Sequence, residues 1–176
     1  RIVSAHVGLL GADGTVIRAR SWLADPGVEI PEGATAVHGI TTEHARQHGA
    51  PAREVVGEIV AALQELFAAG IPVVAYNAPF DFSLLKHEAV RHGVAPIVDP
   101  SPVVDPLVLD KAHDRYRKGK RTLEVVAAHY AVRLEGAHRV YVRDGQEGRK
   151  VRHHFCPDCG TTVFSQGEKF PGLCMV

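Results

Sequence analysis

The sequence predicts an α/β fold, a mixed β-sheet flanked by helices, followed by a short β-rich tail. Three observations carry this expectation. Two apolar runs flank Ala12-Asp13-Gly14 in the manner of a β-hairpin. After Pro51, apolar residues recur at helical spacing from Val55 to Phe67. Short β-like runs then alternate with helical segments, the arrangement in which helices cover a sheet.

Taken in order, Ile2 to Leu10 and Val16 to Leu23 are the arms of the hairpin. Asp25 to Ala36 carries Pro and Gly and is expected as a loop. Thr41 or Thr42 caps a short helix through Gln47. Pro51 suits a first helical position, and Gly70 ends the long helix after it. Pro72 to Tyr76 is a short buried strand, and a helix follows from Pro79 to His92 with Gly93 as its stop. Pro102 to Val104 is another strand. Asp105 caps a helix to Arg115 with Pro106 in its first position, Lys118 to Arg121 is a loop, and Thr122 caps a last helix to Ala131. From Val140 onward the pattern is short strands and turns with aromatic residues.

The 176 residues hold 20 Lys+Arg and 20 Asp+Glu, so bulk positive charge does not hold a polyanion here. Such a balance leaves room for an enzyme that meets phosphate through metal ions. Three cysteines exclude a complete disulfide framework. No stretch approaches the roughly 20 uninterrupted apolar residues of a membrane span. With no visible signal peptide, a cytoplasmic location is expected. The first residue, Arg1, opens directly into a β-like run, and the sequence reads as trimmed at that end. The averages also hide a break. Residues 1–138 hold 22 Ala and no Cys, whereas 139–176 hold no Ala and all three Cys. At the first part's frequency the tail would contain roughly six Ala. A β-rich tail of one domain explains part of this, because Ala is depleted in strands. Two sequences of different origin meeting near His138, with domains 1–138 and 139–176, explain all of it.

In the first part, Tyr76-Asn77-Ala78-Pro79-Phe80-Asp81 is the most informative stretch. A strand ends at Tyr76 and Asp81 falls in the first turn of the next helix, at the edge of the sheet where α/β proteins place ligands. Asn77 suits the strand-to-helix turn and can bond backbone there. Asp81 either complements the positive end of the helix or serves as a ligand. The other acids, Asp99, Asp105, Asp110 and Asp114, are expected as caps and solvated charges.

Asn77-x-x-Phe80-Asp81-x-x-x-Leu85 resembles the second motif of the DEDDh 3′–5′ exonucleases, the DNA polymerase III epsilon-like group. Ala36-Val37-His38-Gly39-Ile40-Thr41, Val104-Asp105-Pro106-Leu107 and Lys120-Arg121-Thr122-Leu123 are similar to further segments of that family, in its order. The resemblance covers residues 1 to about 138. It implies a ribonuclease H-like fold lacking its first strand, and hydrolysis of a phosphodiester at the 3′ end of single-stranded DNA or RNA by two Mg²⁺ or Mn²⁺ ions. It further implies a polymerase or another replication or repair protein as partner. Carried over by position, Asp81 is a metal carboxylate and His138 the general base. His38, Gly39 and Ile40 lie beside the 3′-terminal nucleotide, and Asn77 and Phe80 shape the strand edge. Taken alone, His138 reads better as an ordinary surface histidine, and only its Glu135-Gly136-Ala137-His138 context after a capped helix puts the general base on an equal footing. The family's first motif, Asp-x-Glu-Thr, does not occur, and Arg143 stands where its third motif has an acid. One of four metal acids remains, and no family-like hydrolysis is expected of the chain as written, which leaves a non-catalytic nucleic-acid-binding remnant as an alternative.

In the tail, Phe155-Cys156-Pro157-Asp158-Cys159-Gly160-Thr161 holds a Cys-x-x-Cys pair. Two thiolates at this spacing are half of a tetrahedral Zn²⁺ site, a redox dithiol, or two cysteines with no joint role. Residues 148–164 resemble the latter part of the CENP-V/GFA domain, named for glutathione-dependent formaldehyde-activating enzymes, which are zinc-dependent carbon–sulfur lyases. The resemblance implies Cys156 and Cys159 as zinc thiolates. The other ligands of that family are absent here, and Cys174 matches none of them.

Overall fold

A computed structural model describes residues 1–130 and the strand segments 139–144, 150–155, 162–167 and 174–175. The hairpin forms as the sequence predicts. Strand β1 (Ser4–Leu10) pairs antiparallel with β2 (Val16–Asp25), from Ser4 opposite Leu23 to Leu9 opposite Arg18. Its turn is closed by Gly11 N–H on the Thr15 carbonyl (2.8 Å) and by the Asp13 carboxylate, which accepts from Thr15 N–H (3.0 Å) and Oγ1–H (2.7 Å). Burial alternates along β1, with Ala5, Val7 and Leu9 turned to the core.

Helix α1 (Glu32–His38) occupies part of the expected 25–36 loop. It has no buried residue, so it carries no apolar periodicity for a sequence reading to find. Gly39, at φ 75°, ends it in the left-handed conformation with its N–H on the Thr35 carbonyl. Helix α2 (Thr42–His48) is capped by the Thr41 side chain, which accepts from His44 N–H. Pro51, expected as a first helical residue, instead precedes α3 (Ala52–Ala68) at its N-cap. There Ala50–Pro51 form β3, parallel to the end of β2. Beside them Gly49 lies so close to Asp25 N and the Ala24 carbonyl carbon that a Cβ would sit at 2.5 and 2.6 Å. Both neighbours are backbone, so relief requires moving β2. Gly49→Ala is therefore expected to destabilise by about 2 kcal/mol in urea unfolding.

The core is built on α3, which buries Val55, Val56, Ile59, Val60, Leu63 and Leu66 on one broad face. Trp22 of β2 and Leu85 and Ala89 further along the chain close over it. Trp22 Nε1–H donates to Glu58 Oε2 (2.8 Å), which also accepts from Arg20 Nη2 (2.9 Å), and the Arg20 guanidinium lies 5.2 Å from the Trp22 ring centre. The buried indole thus has its polar edge satisfied at the rim of the core.

Next come β4 (Val73–Val74), α4 (Ala78–Arg91), β5 (Val103–Val104), α5 (Pro106–His113) and α6 (Leu123–His129). β4 and β5 pair in parallel, Val73 with Val103 and Val74 with Val104. The pairing is mixed as expected. The described strands nevertheless form separate hydrogen-bonded sheets, β1-β2-β3 and β4-β5, instead of one. What unites them is side-chain packing, since Val7 and Val73 belong to the same core over α3. In the tail, β6 (Arg139–Asp144), β7 (Lys150–Phe155), β8 (Thr162–Gly167) and β9 (Cys174–Met175) pair antiparallel in chain order. Among the described residues no helix is long and apolar enough to cross a membrane.

Candidate functional site

The parallel pair β4-β5 aims two chain segments at the same edge, and each enters a helix there. β4 leads through Tyr76 and Asn77 into α4, and β5 leads through Asp105 into α5. Asn77 adopts the left-handed conformation (φ 59°, ψ 42°), which turns the chain sharply from strand to helix. Its side chain makes no capping bond, contrary to the expectation that it would bond backbone there. The cap comes from across the sheet. Asp105 Oδ1 accepts from Asn77 N–H (3.0 Å) and from Leu107 N–H (2.9 Å), and Oδ2 accepts from Ala78 N–H (3.1 Å). One carboxylate therefore serves the N-termini of α4 and α5 together. Asp105→Ala strips the acceptor from three amides. It is expected to cost about 2 kcal/mol and to speed hydrogen exchange at Ala78 and Leu107.

This clamp fixes the turn that carries Asp81, which lies in the first turn of α4 on its exposed side. Partial burial raises the Asp81 carboxyl above its ordinary value, and the Asp105 charge adds to the rise. Phe80, 64% exposed, and Asn77 stand at the surface of the same turn. The structure thus brings Asn77, Phe80 and Asp81 together on one exposed edge.

His38, Gly39 and Ile40 form the joint between α1 and α2. Ile40 N–H donates to His38 Nδ1 (3.1 Å), which fixes the neutral ring with its proton on Nε2. Burial lowers the His38 pKa, in keeping with that neutral form. Ile40 is buried with Ile30 and Ala45 in a small second core, so its side chain faces the protein. Among the described residues no hydrogen bond or ion pair joins this joint to the Asn77–Asp81 turn. His138, Cys156 and Cys159 lie outside the described residues, and Arg143 is placed in β6 opposite Val151.

The sequence reading missed an interior cluster next to this edge. Asp110, expected as a cap or a solvated charge, is buried in α5. Arg117 Nη2 donates to both of its carboxylate oxygens (2.8 and 2.7 Å), Arg121 Nη1 bonds Oδ2, and Tyr130 Oη donates to Oδ1 (3.3 Å). Burial alone would raise the carboxyl. The bonds and charges of the two guanidiniums outweigh it and hold the carboxyl below its ordinary value. Tyr76 Oη donates to the Arg121 carbonyl (2.6 Å), which ties the cluster to the end of β4. The only sequence trace was the spacing of Asp110, Arg117 and Arg121, and a turn has to fold before these residues meet.

A divalent cation needs several oxygen ligands. Among the described residues no three His, Cys, Asp or Glu side chains are grouped to hold a metal ion. Asp105, the acid coupled to Asp81, is engaged with three amides. The described residues therefore do not fit a two-ion centre. In the tail, Cys156 and Cys159 supply two of the four donors a structural zinc needs.

Comparison with known proteins agrees with the ordered motifs. The Exonuclease family (RNase T) matches residues 8–141, and the Glutathione-dependent formaldehyde-activating enzyme family matches residues 114–176, so the two ranges share 114–141. A DNA polymerase III subunit epsilon-like protein of Rhodobacter capsulatus is 39% identical over 87 residues. That stretch is 49% of this chain and 11% of the relative, so the chain spans only a small part of that protein. With three quarters of its length matched, the chain belongs to the exonuclease family, and its last third is similar to the formaldehyde-activating enzymes.

Proposed function

We propose that residues 1–138 are a 3′–5′ exonuclease domain of the DEDDh type, directed at the 3′ end of single-stranded DNA or RNA, and that the chain as written does not turn over. The observation that carries this reading is the exposed Asn77–Asp81 turn at the end of a parallel strand pair, clamped by Asp105. It presents an acid with a raised pKa beside an exposed aromatic ring, where a nucleotide can meet both. In this reading Asp81 is a Mg²⁺ or Mn²⁺ carboxylate and His138 is the general base. His38 and Gly39 border the terminal nucleotide, with Ile40 supporting them from beneath, and Asn77 and Phe80 shape the strand edge. The relative's name supports a polymerase or another replication protein as partner, and with it a cytoplasmic location.

Inactivity follows from the donor set. Asp81 is one of the four acids of the family pattern, and Arg143, at the place of another, repels a cation. The test supplies what is missing. A version carrying an Asp-x-Glu-Thr strand ahead of Arg1, with Arg143→Asp, gains Mn²⁺-dependent loss of 3′ nucleotides, and this gain vanishes with Asp81→Ala. If the completed version cuts equally well after Asp81→Ala, the assignment of Asp81 is wrong.

A second reading rests on the match at 114–176. Here the tail derives from a zinc-dependent carbon–sulfur lyase, and Cys156 and Cys159 are the remnant of its Zn²⁺ site. Purified protein then carries zinc that is lost on Cys156→Ser. Zinc content unaltered by that change sinks this reading.

A further inference from the structure

Residues 115–121 read Arg-Tyr-Arg-Lys-Gly-Lys-Arg, five cations and no acid in a chain whose net charge is zero. The structure divides these cations into two groups. Arg117 and Arg121 turn inward onto buried Asp110, and Arg117 also lies 3.8 Å from the Asp114 carboxylate. The Arg121 guanidinium also bonds the backbone carbonyls of Asp110, Asp114 and Arg117, so the loop is wound around its own side chain. Arg115, Lys118 and Lys120 turn outward, exposed, with no ion-pair partner among the described residues. Tyr116 stands between them with 87% of its surface exposed.

An ordinary solvated turn needs no buried anchor and gains nothing from a bare aromatic ring. A fastened loop that presents three cations around a ring suits a strand of phosphates and bases. The cations meet the backbone, and the ring offers any base a stacking face. The bond from Tyr76 Oη to the Arg121 carbonyl places the loop beside the Asn77–Asp81 turn. We propose that the 115–120 loop is a contact surface for single-stranded nucleic acid, with Arg115, Lys118 and Lys120 on the phosphates and Tyr116 stacked on a base. The proposal rests on the exonuclease reading for the identity of its ligand, but not on any catalytic residue.

The experiment is fluorescence anisotropy of a labelled oligothymidylate with the full chain in EDTA, over a series of KCl concentrations. Arg115→Gln/Lys118→Gln/Lys120→Gln is expected to weaken binding about a hundredfold at low salt and to flatten the slope of log affinity against log salt by about 2. Tyr116→Ala is expected to weaken binding about tenfold and leave the slope unchanged. All four side chains are exposed, so melting temperatures stay at the wild-type value. A triple variant with wild-type affinity and slope overturns the loop while leaving the exonuclease reading intact. Failure of the wild-type chain to bind in EDTA overturns the loop, whereas the exonuclease reading, whose phosphate contacts run through metal ions, stands or falls with Mn²⁺-dependent cleavage by the completed version. If inorganic polyphosphate competes as well as unlabelled oligonucleotide and Tyr116→Ala has no effect, the patch is a general anion site and the assignment to nucleic acid falls.

Discussion

A 3′-labelled single-stranded oligonucleotide incubated with this chain and Mn²⁺ is expected to come back at full length. Two-ion hydrolysis needs both cations held a few ångströms apart, one at the attacking water and one at the leaving oxygen. Of the acids that would hold them, the described residues bring Asp81 alone to the exposed turn. Asp105 beside it is committed to three amides. A lone carboxylate at the surface binds a divalent cation weakly and cannot fix two. The expected rate is roughly 10⁴-fold or more below that of a complete site, on the scale by which catalytic groups acting as a unit fail together. Gel analysis of the labelled product checks this. Stepwise shortening of the strand that disappears with Asp81→Ala would overturn it.

Asp110→Ala is the substitution with the largest expected effect on stability. It leaves Arg117 and Arg121, each with little exposed side chain, facing one another without their shared counter-charge. Breaking a buried pair from one side is far more damaging than losing a surface pair, because the remaining charge stays desolvated. The expected fall in Tm is roughly 10 °C. Asp110→Asn, which keeps the shape, falls nearly as far. The pH dependence separates charge from packing. The folded carboxyl lies below its ordinary value, so its contribution is fully present above about pH 4 and is lost as pH falls through the depressed value. Wild-type protein therefore loses stability on the acid side by a component that Asp110→Asn lacks. Identical acid profiles for the two proteins would show that the cluster is not held by charge.

Much of the architecture was legible where local chemistry decides it. The Asp13-Gly14 turn, the apolar face from Val55 to Leu66 and the Asp105-Pro106 start of α5 each combine a backbone preference with a burial pattern inside one short window. The elements misread were those without such a pattern. Helix α1 buries no side chain, and Ala50–Pro51 is a strand only because the end of β2 lies beside it. The Asn77–Asp81 turn could be placed at the strand end from sequence, but its fastening could not. Asp105 does look like a cap from its position before Pro106, and it is one. Its bonds to Asn77 and Ala78 cross 28 and 27 residues of chain.

By itself the sequence determined the family, through the order of its motifs, and the acids this chain brings, through their identities. It also determined that composition changes after His138. The tertiary structure decided which charges are spent inside and which stand exposed to solvent. Asp110, Arg117 and Arg121 differ in no visible way from Asp114, Arg115 and Lys118 when read along the chain. Folding of the α5–α6 connection buries the first three against one another and leaves Arg115 and Lys118 in water. Burial multiplies the strength of a charge pair, and it depends on contacts between elements that no local window contains.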